Sequence, residues 1–350
     1  MENSVFIIDL PRYSDDAKKP AELTGFGEDL LHFVEKQGLE QDVRDGLLNF
    51  DFKATTGMAF VHSVGGISTD ADISMTGLPG LARAVRNLGL ETDTLQIDYA
   101  ASSIGSLNDD FLRNVHRAAQ GQDMVERAKA AGKVAKATFF SPPSARTSTD
   151  MSSIRNDVRL YFPTSETVRS STARAAGTIC LTRKWYEDMP FPRACFRDYV
   201  STRPGLLSHN KIMYARGKRL KTLPAADVAW AYVGSSNMSE SAWGKLAFDK
   251  KLKAWKLNCR NWECGVLLPV KPMTGNRKPR KQYNADDSET ESEDDTDADD
   301  TIDPDKMVEM DVFDAIVRPP FRMPGATYGD REPWYFNERR QPKPVEDFVV

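Results

Sequence analysis

The fold class predicted by this 350-residue sequence is α/β, a mixed β-sheet flanked by helices. Three observations lead to it. Segments rich in aromatic and Val/Ile/Leu residues alternate with segments of helical periodicity. A content of 40% hydrophobic and 28% charged residues is that of an ordinary globular chain. No apolar run reaches the ~18 residues of a membrane span, so no membrane partner is expected.

The elements follow in order. Residues 27–39, GEDLLHFVEKQGL, place Leu30, Leu31, Phe33 and Val34 at helical spacing. MAFVHSVGG reads as a short buried strand ending in a glycine turn. GLPGLARAVRNLGL reads as a helix with proline in its first turn and glycine after it. SLNDDFLRNVHRAAQG reads as a helix with Ser106 as N-cap and Asp109 three positions on. KATFFSPP, VRLYFP, KIMYARG, VAWAYVGSS and ECGVLLPV read as strands. No internal repeat is visible.

The net charge of −4 hides an asymmetry. Residues 284–305, NADDSETESEDDTDADDTIDPD, hold 12 acidic residues and no Lys or Arg. Without them 39 acidic residues (51 less 12) face 47 basic ones, a balance of +8 that suits a polyanion partner. The tract is expected to be disordered, because it has too little apolar surface to offset ordering entropy. Just before it, KPMTGNRKPRKQ is either a nuclear localisation patch or the basic shoulder of a loop. Ser288, Thr290, Ser292 and Thr296 each precede an acid by three residues, a pattern for acid-directed phosphorylation. Cys180, Cys195, Cys259 and Cys264 form no C-x-x-C pair, which points to reduced thiols in cytosol or nucleus and against a zinc site. The N-terminus lacks the basic start and cleavage site of a signal peptide.

The chemistry concentrates around SHNKIMYARG. On a strand, His209 and Lys211 share a face. The strand VAWAYVGSSN ends at Asn237, after Ser235. A helix then begins with Ser239 as N-cap and Glu240 at its positive end. A helix N-terminus beside His, Lys and Asn makes an anion site. Glu263 opens an otherwise apolar strand and needs a partner, for which a histidine is a sensible choice. Ser102 and Ser103 precede another predicted helix start.

In this order the segments HNKIMYARG, AWAYVGSSNMSESAWGKL and WECGVLLPV resemble the second half of tyrosyl-DNA phosphodiesterases, members of the phospholipase D superfamily. DYAASSIGSLNDDFL resembles the family's serine-rich DNA-contacting segment. VRLYFPTSETVRSS and MPGATYGDREPWYF resemble two further family stretches. The resemblance implies a phospholipase D-like fold, of which this chain forms the C-terminal half of a pseudo-symmetric two-domain sandwich. It also implies a metal-free, cofactor-free, two-step phosphoryl transfer through a phosphohistidine, on DNA carrying a 3′-phosphotyrosyl or other 3′ adduct, single-stranded or nicked. The tyrosyl group would be a topoisomerase I-derived peptide, and the compartment the nucleus. By this resemblance His209 is the general acid/base, Lys211 and Asn237 clamp the non-bridging oxygens, and Glu263 orients His209. Ser102 and Ser103 hold the DNA phosphate, and Ser235 and Ser239 flank the site.

One family feature is missing. His32, His62 and His116 are not followed by the lysine of an H-x-K pair, so the first motif is expected upstream of residue 1. The chain would then carry only the acid/base half and be inactive alone. The alternatives are a catalytically dead DNA-binding relative and a homodimeric phosphodiesterase. The corresponding divisions are 1–66, a remnant of the first domain; 67–283, the second domain; 284–305, the acidic insertion; 306–338, a C-terminal segment packing on the second domain; and 339–350, a tail.

Overall fold

A computed structural model of the chain describes residues 1–14, 22–137, 154–221, 225–271 and 306–336. The acidic tract, the basic patch before it from residue 272 on, and the four acid-directed Ser/Thr sites lie outside the described residues.

Among the described residues, ten strands form two sheets. The larger holds β1 (Ala59–Ser63), β3 (Thr94–Ala100), β4 (Val158–Phe162), β5 (Phe196–Asp198), β6 (Ile212–Arg219), β7 (Ala226–Gly234) and β10 (Glu263–Val270). Their order is β1-β10-β7-β6-β3-β4-β5, and only the β3–β4 and β4–β5 pairs are parallel. β2 (Gly66–Thr69), β8 (Lys245–Asp249) and β9 (Ala254–Cys259) make a small antiparallel sheet. The α/β class and the mixed sheet are as the sequence predicts. Within residues 1–66, β1 is an edge strand of the main sheet and pairs with β10.

Helix α1 (Gly25–Lys36) starts where the Thr24 side chain accepts from the Gly27 amide, two residues earlier than the apolar periodicity indicates. α2 (Gln41–Leu47) follows it. α3 (Gly77–Asn87) has Pro79 in its first turn. α4 (Asp109–Ala119) is capped by Asn108, whose side chain accepts from Phe111, and not by Ser106. Residues 136 and 137, read as the start of a strand, close α5 (Met124–Ala137) instead; its Ala/Lys-rich sequence favours a helix. The rest of that predicted strand lies outside the described residues.

Both faces of the main sheet are covered. On one side Leu81, Val85, Leu112 and Val115 of α3 and α4 pack against Ile97, Tyr99, Met213 and Tyr232. On the other, Phe313 and Phe321 of the C-terminal segment pack on Tyr161, Tyr199, Ile212 and Tyr214. Arg216 donates to the Val308 carbonyl at 2.7 Å and Arg331 to Asp198 at 2.8 Å, fastening that segment to the sheet.

α1 docks on β1 through a polar relay. His62, 2% exposed, meets His32 at 2.9 Å between Nε2 and Nδ1, and His32 Nε2 reaches Asp72 at 3.3 Å. Burial, then the neighbouring His32 and Arg83, push the His62 imidazole down to about 3. The folded value is depressed, so between pH ~6.5 and ~3 the unfolded chain binds a proton that the fold excludes. Stability therefore falls as pH drops through that window. At pH 5 the expected loss is about 2 kcal/mol relative to neutral pH. Urea unfolding of His62→Phe, whose ring suits the neighbouring Phe33 and Phe60, should show a flatter acid limb. Equal slopes in variant and wild type would contradict this origin.

Candidate active site

Three chain segments converge beside the end of β3. Residues 102–105 continue β3 and are held on both sides: Cys180 N donates to Ser102 O and Ile104 N to Cys180 O, each at 2.8 Å, and Gly105 N donates to Met238 O at 3.0 Å. Gly105 is required there, because a Cβ would fall 2.8 Å from Ser239 Cβ. His209 and Lys211 lie in the approach to β6 rather than on the strand itself, with Lys211 O accepting from Gly234 N at 3.1 Å. The turn after β7 carries Ser235, Ser236 and Asn237.

Lys211 lies at the centre. Its side chain is buried, and Nζ donates to Ser102 Oγ at 2.8 Å and to His209 O at 2.6 Å. Ser103 N donates to Asn237 Oδ1 at 2.9 Å, and Ser102 Oγ donates to the same oxygen at 3.3 Å. Lys211, Ser102, Ser103 and Asn237 thus form one hydrogen-bonded cluster. Burial pushes the Lys211 ammonium down to about 8, against the opposing pull of Glu263. An ammonium, a hydroxyl and an amide N–H are the donors that non-bridging phosphate oxygens require.

Glu263 is placed differently from the sequence-based expectation. It is buried, but its oxygens are taken by Ser235 Oγ at 2.5 Å and Asn261 Nδ2 at 2.9 Å rather than by His209. Ser235 therefore touches the acid and not the clamp. Ser239 Oγ accepts from Ala242 N at 3.2 Å and caps α6 (Glu240–Trp243), a single turn. A helix that short adds little dipole.

His209 finds its partner in a residue the sequence reading missed. Its Nδ1 meets Asn3 Oδ1 at 3.0 Å. With an amide oxygen as acceptor, Nδ1 carries the hydrogen and Nε2 keeps its lone pair. Burial, then Lys211, hold the imidazole below its usual value. The N-terminal segment is locked in place by the buried Glu2, which exchanges backbone bonds of 2.7 Å with Leu207 and His209 and binds Ser201 and Arg203 through its side chain. Only the order of motifs marks this region in the sequence, and nothing there singles out Asn3. Asn3→Ala is expected to mix the two His209 tautomers, read as a change in its imidazole ¹⁵N shifts. An unchanged pattern would remove Asn3 from this role.

A family model for tyrosyl-DNA phosphodiesterases matches residues 1–329. A probable tyrosyl-DNA phosphodiesterase of Caenorhabditis elegans is 28% identical over 118 residues, which cover 31% of this chain and 24% of that protein. Among solved structures, the yeast tyrosyl-DNA phosphodiesterase superposes with a TM-score of 0.47 at 16% identity, over 74% of this chain and 58% of the yeast chain. A mutant of the yeast enzyme gives 0.46 at 18% identity, over 77% and 59%. The chain thus spans less than two thirds of the length of these relatives. The family match leaves out only the last 21 of the 350 residues, and on that match the chain belongs to the tyrosyl-DNA phosphodiesterase family.

Proposed function

We propose that this chain carries the acid–base and phosphate-clamp half of a DNA-repair phosphodiesterase that removes tyrosyl groups, such as a topoisomerase I-derived peptide, from DNA 3′ ends in the nucleus. The observation that supports it is the buried Lys211 joined to Ser102, with Ser103 and Asn237 in the same cluster. In this reading a second histidine, from an upstream region or a second copy, attacks phosphorus. The N–P bond forms as the bond to the tyrosyl oxygen breaks, and protonated His209 gives its Nε2 proton to the leaving phenolate. Neutral His209 then takes a proton from water as water displaces the first histidine. Lys211 and the Ser102–Ser103 segment hold the oxygens on which charge accumulates.

The other histidines have other engagements. His32 and His62 bind each other, and His116 meets Leu95 O at 3.0 Å, near the opposite end of β3.

The test uses a 3′-phosphotyrosyl oligonucleotide, this chain, and a form extended upstream along its gene. The chain alone is expected to retain the oligonucleotide without cleaving it, and the extended form to cleave it. Cleavage at full rate by extended His209→Ala would overturn the role of His209. Retention without cleavage by either form would favour a DNA-binding relative. Because Lys211 clamps only when protonated, retention should weaken as pH rises past about 8, by up to about tenfold per unit. Retention that stays constant to pH 10 would exclude Lys211 as the clamp.

A further inference from the structure

We propose that Tyr99 is a positioning residue that, through Ser236, sets the distance between the two arms of the phosphate clamp. The inference rests on the site reading above and adds the device that holds it in register.

Ser236 lies between the two residues that carry the contacts of the β7 turn. Ser235 binds Glu263, and Asn237 binds Ser102 and Ser103. Every polar atom of Ser236 is held by a buried aromatic side chain. Tyr99 OH donates to its carbonyl at 2.6 Å, Tyr232 OH donates to its hydroxyl at 3.0 Å, and its amide donates to Tyr232 OH at 3.4 Å. Tyr99 OH in turn accepts from Trp243 Nε1 at 3.1 Å. Tyr99, Tyr232 and Trp243 are each 0% exposed, so these bonds form without competition from water.

The position of Tyr99 gives the network its function. It sits on β3, three residues before Ser102, and reaches across to the turn that presents Asn237. One hydroxyl therefore ties the strand delivering the serines to the turn delivering the asparagine. Trp243, in the turn of helix just beyond, fixes that hydroxyl from the far side.

The test compares Tyr99→Phe and Trp243→Phe with Trp230→Phe. Trp230 is equally buried, but its Nε1 has no hydrogen-bond partner among the described residues. The first readout is hydrogen exchange of the Ser103 amide, which Asn237 protects, measured relative to amides of β6. The second is retention of a 3′-phosphotyrosyl oligonucleotide. Tyr99→Phe and Trp243→Phe are expected to speed Ser103 exchange about tenfold, with β6 unchanged, and to weaken retention by a similar factor. Trp230→Phe is expected to do neither. Unchanged Ser103 exchange, or faster exchange everywhere alike, overturns the proposal. If Ser103 exchange responds as expected while the wild type retains no oligonucleotide, the positioning role stands and the functional reading fails. If one variant does not fold, the other carries the test.

Discussion

Lys211→Met is expected to weaken retention of a 3′-phosphotyrosyl oligonucleotide by about a hundredfold or more, without loss of stability. The first half follows from removing the ammonium that donates to Ser102, at a buried position. The second half follows from linkage. The folded ammonium lies near 8, below its usual value of 10.5, so its burial destabilises the fold fully below pH 8. That penalty fades as pH rises from 8 towards 10.5. Methionine has nearly the same length and no charge to desolvate. After allowance for solvent screening and for the two lost hydrogen bonds, stability should be unchanged or rise by up to ~1–2 kcal/mol at neutral pH. Thermal and urea unfolding alongside the retention assay check both parts. A variant that both binds and unfolds like the wild type would show that Lys211 does not serve the clamp.

Gly265→Ala is expected to cost about 3 kcal/mol or more and to abolish retention, although residue 265 touches no clamp atom. Gly265 pairs with Gly234 across β10 and β7, and the Tyr232 ring lies against both. A Cβ at 265 would fall 2.4 Å from Tyr232 Cε2, and one at 234 only 2.2 Å from its hydroxyl oxygen. The ring is fully buried and bonded to Ser236, so relieving the clash breaks the contacts that hold the turn. Here lies the physical content of the glycine in E-C-G-V. Combining Gly265→Ala with Tyr232→Leu should recover part of the stability and none of the retention. Strict additivity of the two costs would show that the ring is not the cause.

Much of this was legible in the sequence where local pattern and burial agree. β4, β6, β7 and β10 are apolar runs buried over most of their length, and they read as strands. β3 was missed as a strand because Gln96 and Asp98 interrupt its apolar pattern. The structure explains their presence: Asp98 accepts from Arg159 at 2.7 Å, Arg216 at 3.0 Å and Tyr161 at 3.0 Å, so a buried charge is fully partnered. β8 and β9, with lysines and partial exposure, carry too weak an alternation to register. Motif order groups Lys211, Asn237, Ser102 and Ser103, and they meet in space, so that grouping was legible. The choice of partner for Glu263 was not. A carboxylate binds whichever donor the fold brings near, and here Asn261 and Ser235 are closer in chain and sheet than His209. Ser106 was read as a cap from its spacing to Asp109, but Asn108 has the better geometry for the same task.

The contact of Asn3 with His209 joins residues 206 positions apart. Closing so long a span has a high entropic cost, and sequence-distant contacts tend to form late in folding. The His209 side chain is therefore expected to be among the last parts of the chain to settle into place and among the first to be released. Local opening of residues 1–4 would release the imidazole while the seven-stranded sheet stays intact. The tautomer preference of His209 should then be lost at lower denaturant concentration than the fold itself, and the gap between the two midpoints would measure how firmly residues 1–4 are held.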